Sequence, residues 1–494
     1  MEHLLGTANR GSISTGYDVE NSCRFEPDSS EYMHRTPSSS GTRTKWTYSS
    51  WVKRGELGAT QNLQGSGSDY NSIRFISTDK LQITNFNGGS ASYSLITTRL
   101  FRDCSAWYHI VAAMDTTQGT ASNRLKMYVN GVQETDFSVA TYPDQNYLDN
   151  YSESSRVHQI GARYAVTGNS TQRFSGYIAE VHFIDGTAKS PTDFGEFDED
   201  SGIWKPKAYS GSHGTNGFHL NFDSSGSMGA DSSGNSNTFT LVNIAAVNQT
   251  TDTPTNNFCT LNPNDRTVNT TYDGQIIDGM LEYQPESGSS MVRGTMGMSN
   301  GKWYWECKLA TTAGQQFGVC TDNMDIPVTS TQEGGSIINS VGGDAVFFSV
   351  YAASHYRSYF VYDGTAWNSA AAWQDEVNIS AGSIMGFAVD MDNLDIYMSK
   401  EGSWTDVITG QDPEGDPGSN TPFVYHASFN RGETGTSWMP VFSNTYNQDM
   451  ILNFGNPIHS ISSGNSDANG YGNFEYEVPD GYYALCTKNL AEFG

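Results

Sequence analysis

Short runs in which apolar and polar residues alternate recur along most of the chain and predict strands. In 123–132 (NRLKMYVNGV), Leu125, Met127 and Val129 fall on one face, and Asn130-Gly131 supplies the dipeptide best suited to a type I′ hairpin, which needs positive φ twice. Upstream, 17–25, 44–54, 72–75 and 80–85 have the same strand character, and 107–114 (WYHIVAAM) reads as a well-buried central strand. Residues 174–184 (FSGYIAEVHFI) add a strand with a glycine kink. After about residue 265 the pattern restarts, with strands predicted at 301–307, 317–320, 345–350, 359–362, 383–390, 394–398, 450–454 and 482–486, and a turn at Asp392-Asn393. No amphipathic run of three helical turns interrupts them. Short strands at this spacing, twice over, predict an all-β chain of two antiparallel β-sandwiches.

Between the two sets lies a change of composition. Residues 193–200 are acidic, 223–237 (DSSGSMGADSSGNSN) consist almost wholly of Ser, Gly, Asp and Asn, and 250–264 carry two prolines. The expected organisation is an N-terminal arm at 1–22, a first domain at 23–245, a linker at 246–264 and a second domain at 265–494. A length of 494 residues suits two sandwiches better than one.

Charge narrows the partners. With 27 Lys and Arg against 54 Asp and Glu the net charge is −27, and the basic residues are scattered. Nucleic acid requires a concentrated basic face to displace counterions, so it is excluded as a partner, and anionic membrane surfaces are disfavoured by the same argument. No run approaches the ~20 apolar residues of a spanning helix. Residues 1–6 (MEHLLG) lack the features of a secretory signal, so synthesis in a cytoplasm is expected. Six widely spaced cysteines without a CxxC pair predict buried, reduced thiols.

The strand motifs resemble two families. KWTYSSWVKRG at 45–55, WYHIV at 107–111, KMYVNGV at 126–132 and FSGYIAEVHFIDG at 174–186 are similar to laminin-G/concanavalin A-like jelly rolls, as found in tail and head-surface proteins of marine bacteriophages. This likeness spans roughly 20–245. GKWYWE at 301–306, FGV at 317–319, GSIMGFAVDMDNLDIYMS at 382–399, WMPVFS at 438–443 and ILNFG at 451–455 resemble a SPRY domain over roughly 265–490. The combination implies a concanavalin A/laminin-G-like jelly roll followed by a SPRY-like sandwich on a virion surface protein. It further implies binding: of carbohydrate or protein by the first domain, often through calcium, and of protein by end loops of the second. The implied location is the virion, assembled in a host cytoplasm, with other virion proteins and a host-surface glycan or protein as partners and a closed oligomer as the expected state.

Candidate chemistry is sparse. Glu196-Phe197-Asp198-Glu199 resembles the start of a jelly-roll glucanase motif, but the third acid is mis-spaced, so a solvated acidic loop is expected and no catalytic residue is assigned. Asp223, Asp231 and Asn235 lie in a flexible oxygen-rich loop of the kind that could hold calcium. The histidines show no HxH or HxxxH spacing, and His109 and His182, inside apolar strands, are expected to be hydrogen-bonded structural groups. In an Ala/Ser-rich part of the second domain read as irregular, Tyr356, Trp367 and Trp373 are the candidate partner contacts, because exposed aromatics stack on sugars and anchor interfaces. The expected function is therefore non-enzymatic binding at a phage surface. The alternative is a structural capsid-decoration or tail accessory protein, and a polysaccharide depolymerase ranks last.

Overall fold

The computed structural model describes residues 16–67, 71–87, 90–163, 172–267, 274–284, 290–310, 313–324, 326, 344–351, 356–363, 367–374, 380–393, 395–404, 417–418, 437–444 and 449–494. Nearly every element is an antiparallel strand, with one α-helix, Thr487–Phe493, and short 3-10 turns among the described residues. The all-β expectation holds. The described chain divides into two compact units, 14–255 and 256–494. Residues 246–264, expected as a linker, carry strand Gln249–Thr250, which pairs with Ser22–Phe25, and strand Leu261–Arg266, which pairs with Ser290–Gly294.

In 14–255 two eight-stranded sheets form a sandwich. One runs in the order Val132–Gln133, Leu125–Val129, Trp107–Asp115, Lys45–Arg54, Gly176–Asp185, Ser22–Phe25 and Gln249–Thr250, with Phe218–Leu220 also paired to Gly176–Asp185. The other runs Phe137–Thr141, Ser90–Thr97, Leu81–Asn87, Asn71–Phe75, Gln61–Ser66, His158–Ile160, Tyr32–Arg35 and Thr240–Val242. Alternation directs Trp46, Tyr48 and Val52, and across from them Tyr108, Ile110, Ala112 and Met114, onto Ile73, Ile83 and Leu95 of the opposite sheet. The hairpin at Asn130-Gly131 forms as expected, with φ of 47° and 78°, and the Asn130 side chain also accepts the His109 N–H at 2.7 Å.

The residues between those core positions are buried as well. Trp51, Trp107, Tyr177, Ala179 and Trp204 pack with Val19 and Tyr17 on the outer face of the first sheet, and Val111, Ile184 and Phe194 pack with Tyr128 and Tyr209. Strands Trp107–Asp115 and Gly176–Asp185 are thus covered on both sides, which explains their nearly continuous apolar sequences. Lys53 on this outer face reaches Asp252 at 2.8 Å with both side chains fully buried, and Trp107 Nε1 donates to the other Asp252 oxygen at 3.0 Å.

In 256–494 one sheet runs Leu261–Arg266, Ser290–Gly294, Trp438–Asn444, Ala313–Thr321, Asp344–Tyr351, Tyr356–Asp363 and Trp367–Gln374. The other runs Gln275–Ile277, Glu282–Gln284, Met450–Asn453, Lys302–Leu309, Ile384–Asp390 and Asp395–Lys400, with Tyr483–Ala484 parallel to Lys302–Leu309. Trp305, Phe317 and Phe387 form part of its packing, with ring separations of 6.0 and 4.6 Å. No disulfide joins any of the six cysteines, and all are buried, as expected of reduced thiols in a core.

Candidate functional site

The acidic segment expected as a solvated loop is instead a two-stranded hairpin, Gly195–Phe197 against Trp204–Pro206, because its acids pair with lysines and turn amides of the same segment. Asp198 caps its turn, accepting from the Ser201 N–H and hydroxyl, and pairs with Lys205 at 3.0 Å. Glu196 faces Lys205 and Lys207 at 3.8 and 3.9 Å. These acids are held by cations and amides within their own hairpin.

The DSSG loop is organised by hydrogen bonds. Asp231 Oδ1 accepts the His219 and Ser233 N–H groups, and Oδ2 accepts that of Asn237. Burial raises the Asp231 carboxyl, but these donors outweigh it and hold the group below its usual range. Asn235 spends its amide donating to the Gly214 and Gly217 carbonyls at 2.7 and 3.0 Å, while Asp223 accepts from Asn221 at 2.6 Å. A calcium ion at Asp231 would compete with three amide donors.

Tyr356, Trp367 and Trp373 do not lie in irregular chain. They belong to paired strands, Tyr356–Asp363 and Trp367–Gln374, with Tyr356 opposite Gln374, Trp373 opposite Arg357 and Trp367 opposite Tyr362. The aromatic and β-branched content of YRSYFVYD favours an extended strand over the loop read from the neighbouring Ala and Ser. The side chains of these three residues lie outside what the structure describes.

A buried polar cluster among the described residues lies elsewhere, on the outer face of the first sheet. Strand Phe218–Leu220 docks on Gly176–Asp185 in a register that sets His219 opposite His182, with Phe218 and Leu220 turned into the core. A β-bulge interrupts the pairing of Gly176–Asp185 with Lys45–Arg54 between Ala179 and His182. Its extra residue, Glu180, has φ of 48°, a left-handed conformation costing on the order of 1–3 kcal/mol away from glycine. The bulge shifts the inward phase from Ile178 to Val181 and Phe183, which puts the carboxylate on the same side as His182. Glu180 Oε2 lies 3.1 Å from His219 Nε2 and 3.4 Å from His182 Nε2, and the Tyr17 hydroxyl donates to it at 3.0 Å. The two imidazoles stack with centroids 4.0 Å apart, and His182 Nδ1 lies 3.1 Å from His213 Nε2. Phe194 and Tyr209 close the far side of His182.

Electrostatics follow from this burial. Burial raises Glu180, but the hydrogen bonds and charges of His182 and His219 prevail and hold it well below the carboxylate range. Burial pushes His182 down to about 3 and His213 to about 4, so both are neutral imidazoles near pH 7. Nearby, His109 is pushed down to about 3, chiefly by burial; Ser49 Oγ lies 2.8 Å from its Nε2, and Trp204 Nε1 donates to its Nδ1 at 3.0 Å. His109 is the hydrogen-bonded structural group its apolar strand predicts. The grouping of Glu180, His182 and His219 was not predicted. Its one sequence signal is a Glu and a His two apart inside an otherwise apolar strand, together with the odd spacing of Ile178, Val181 and Phe183.

Comparison with known proteins bears on the first unit. Residues 28–193 are similar to the concanavalin A-like lectin/glucanases superfamily, through its Laminin_G_3 family. No curated protein matches the chain. Solved structures similar to it include a Bacteroides ovatus protein described as a candidate carbohydrate binder (TM-score 0.27, 13% identity, covering 46% of this chain and 60% of that one). The SPRY domain of human HERC1 is another (0.23, 13%, 39% and 96%). Domains LG4-5 of the mouse laminin alpha1 chain are a third (0.28, 8%, 96% and 88%). The chain therefore spans about 60% of the length of the Bacteroides protein. Among the described residues no helix is long and apolar enough to cross a membrane.

Proposed function

We propose that this chain is a non-enzymatic binding protein of a phage particle surface, recognising a host-surface glycan or protein. The observation that carries the binding reading is the state of the acids next to the lectin/glucanase-like segment. Retaining glycoside hydrolysis needs two carboxyls about 5–5.5 Å apart, one acting as acid and one as nucleophile. Glu196 and Asp198 are instead engaged with Lys205, Lys207 and the Ser201 turn, an arrangement suited to holding a hairpin. The particle-surface part rests on the resemblance of the two sandwiches, in this order, to marine-phage surface proteins. The strongly acidic surface favours neutral or cationic partners over nucleic acid.

The test is binding of fluorescent full-length protein to a panel of bacterial surface polysaccharides, with and without calcium. Saturable, glycan-selective binding without release of reducing ends is the expected result. Loss of binding in chelator that calcium restores and zinc does not would support a calcium ion, with the Asp223, Asp231 and Asn235 loop as its candidate site, to be checked by Asp223→Ala and Asp231→Ala. Release of reducing ends would overturn the non-enzymatic reading, and absence of binding to any glycan would transfer the function to contacts with other virion subunits.

A further inference from the structure

We infer that Glu180, His182 and His219 form a binding site for a borderline divalent transition-metal ion, zinc above all. The inference is independent of the glycan reading. One oxygen and two imidazole nitrogens, all within 4.8 Å of one another, converge from two paired strands. Ligands around a tetrahedral zinc at ~2.0–2.2 Å stand roughly 3.3–3.6 Å apart. The Glu180 oxygen lies 3.1 and 3.4 Å from the two nitrogens, near these separations, and the stacked imidazoles must turn from their near-parallel arrangement for both in-plane lone pairs to meet one ion.

The hydrogen-bond arrangement points the same way. Glu180 Oε2 has the Tyr17 hydroxyl and both Nε2 atoms around it, three groups at an oxygen with two lone pairs. A cation there satisfies the carboxylate and both nitrogens together. His182 then carries its proton on Nδ1 and donates it to His213 Nε2, 3.1 Å away, which is the outer-shell bond that metal-ligating imidazoles characteristically make. Two imidazoles and a carboxylate select zinc and its first-row neighbours over calcium, whose ligands are oxygens. The His219 side chain is 15% exposed against 4% for His182, so it marks the side from which an ion enters. The bulge at Glu180 has a role on this reading: it re-aims a carboxylate that regular alternation from Ile178 would send into the apolar core.

The experiment uses full-length protein stripped with chelator, dialysed, and titrated with Zn2+ by calorimetry in millimolar calcium. One equivalent is expected to bind with a Kd of about 1 µM or tighter, and Co2+ in its place should give the visible absorption of a low-symmetry site. His213→Ala should weaken zinc roughly 10–100-fold, and loss of the ligand in His219→Ala should weaken it more. Because His182 is buried, His219→Ala, with its fold checked by circular dichroism, is the variant to read, and Glu180→Gln provides a second. His34→Ala, in strand Tyr32–Arg35, should bind zinc as the unaltered protein does. Absence of stoichiometric zinc binding, or folded His219→Ala and Glu180→Gln proteins that bind zinc like the parent, would overturn the assignment.

Discussion

The two faces of the first sheet of unit 14–255 are both buried, yet they are built from different chemistry. Its inner face is apolar and aromatic: Trp46, Tyr48, Ile110, Ile178 and Phe183 interdigitate with the opposite sheet. Its outer face alternates aromatic cover with buried polar groups, namely the Lys53–Asp252 pair, His109 between Ser49 and Trp204, and Glu180 with its histidines. An apolar face contributes through area removed from water and tolerates substitution as volume allows. A buried polar face contributes little net stability, because desolvation offsets attraction, but it penalises any arrangement that leaves a group unpaired. The inner face therefore supplies stability, and the outer face supplies geometric specificity.

Truncation on the inner face should have the largest effect. Phe183 is fully buried and stacks on Trp46 and Phe218, so Phe183→Ala should lower stability by about 3–5 kcal/mol, read as the denaturant midpoint of this unit's unfolding transition. On the outer face Asp252→Ala should cost a comparable 3–5 kcal/mol or so, because Lys53 is left charged in a buried site. The comparison is sharpened by the double substitution Lys53→Met with Asp252→Leu. That protein should recover much of the stability, less the roughly 1–3 kcal/mol cost of leaving the buried Trp107 Nε1 without its Asp252 acceptor, and a double variant as unstable as Asp252→Ala would show the polar face to be stabilising in its own right.

Asn130→Ala should cost roughly 1–2 kcal/mol, since it puts alanine at positive φ and strands the His109 N–H. The smallest effect is with pH. His109 on the outer face and His158 beside Phe183 are both pushed down to about 3 by burial from an ordinary value of 6.5. Between those values the unfolded chain binds the more protons, so stability falls as pH drops below 6.5 and levels off near pH 3. At pH 5.5 each should cost on the order of 1 kcal/mol relative to pH 7.5. Replacing either with Gln should flatten the slope of stability against pH by that share. A slope unchanged in both variants would mean that these rings are not neutral in the folded state.

The site was legible only in part. His109 and His182 announced themselves as polar groups inside apolar strands, and His109 is held by the bonds such a position requires. The Asp223–Asn237 stretch was readable as an Asp/Ser/Gly/Asn loop, but nothing in its composition says that Asp231 turns both oxygens onto backbone amides. The aromatics at 356–373 were misplaced for the opposite reason: alanine and serine around them weaken a local strand signal that pairing along a sheet overrides.

By itself the sequence determined the all-β class, the Asn130-Gly131 hairpin, the buried central strands and the restart of the pattern in a second unit. These depend on period-two alternation and on turn residues with special backbone freedom, both of which act over a few neighbouring positions. Only the tertiary structure decided that the outer face of the first sheet would be covered, that Lys53 would meet Asp252, and that Glu180 and His182 would meet His219, which lies 39 residues beyond Glu180 on another strand. Those contacts depend on which strands pair, in what register, and on one bulge that inverts the alternation of its strand from Glu180 onward. Pairing partners distant in sequence are chosen by the burial of whole faces, a quantity that no local run of residues contains.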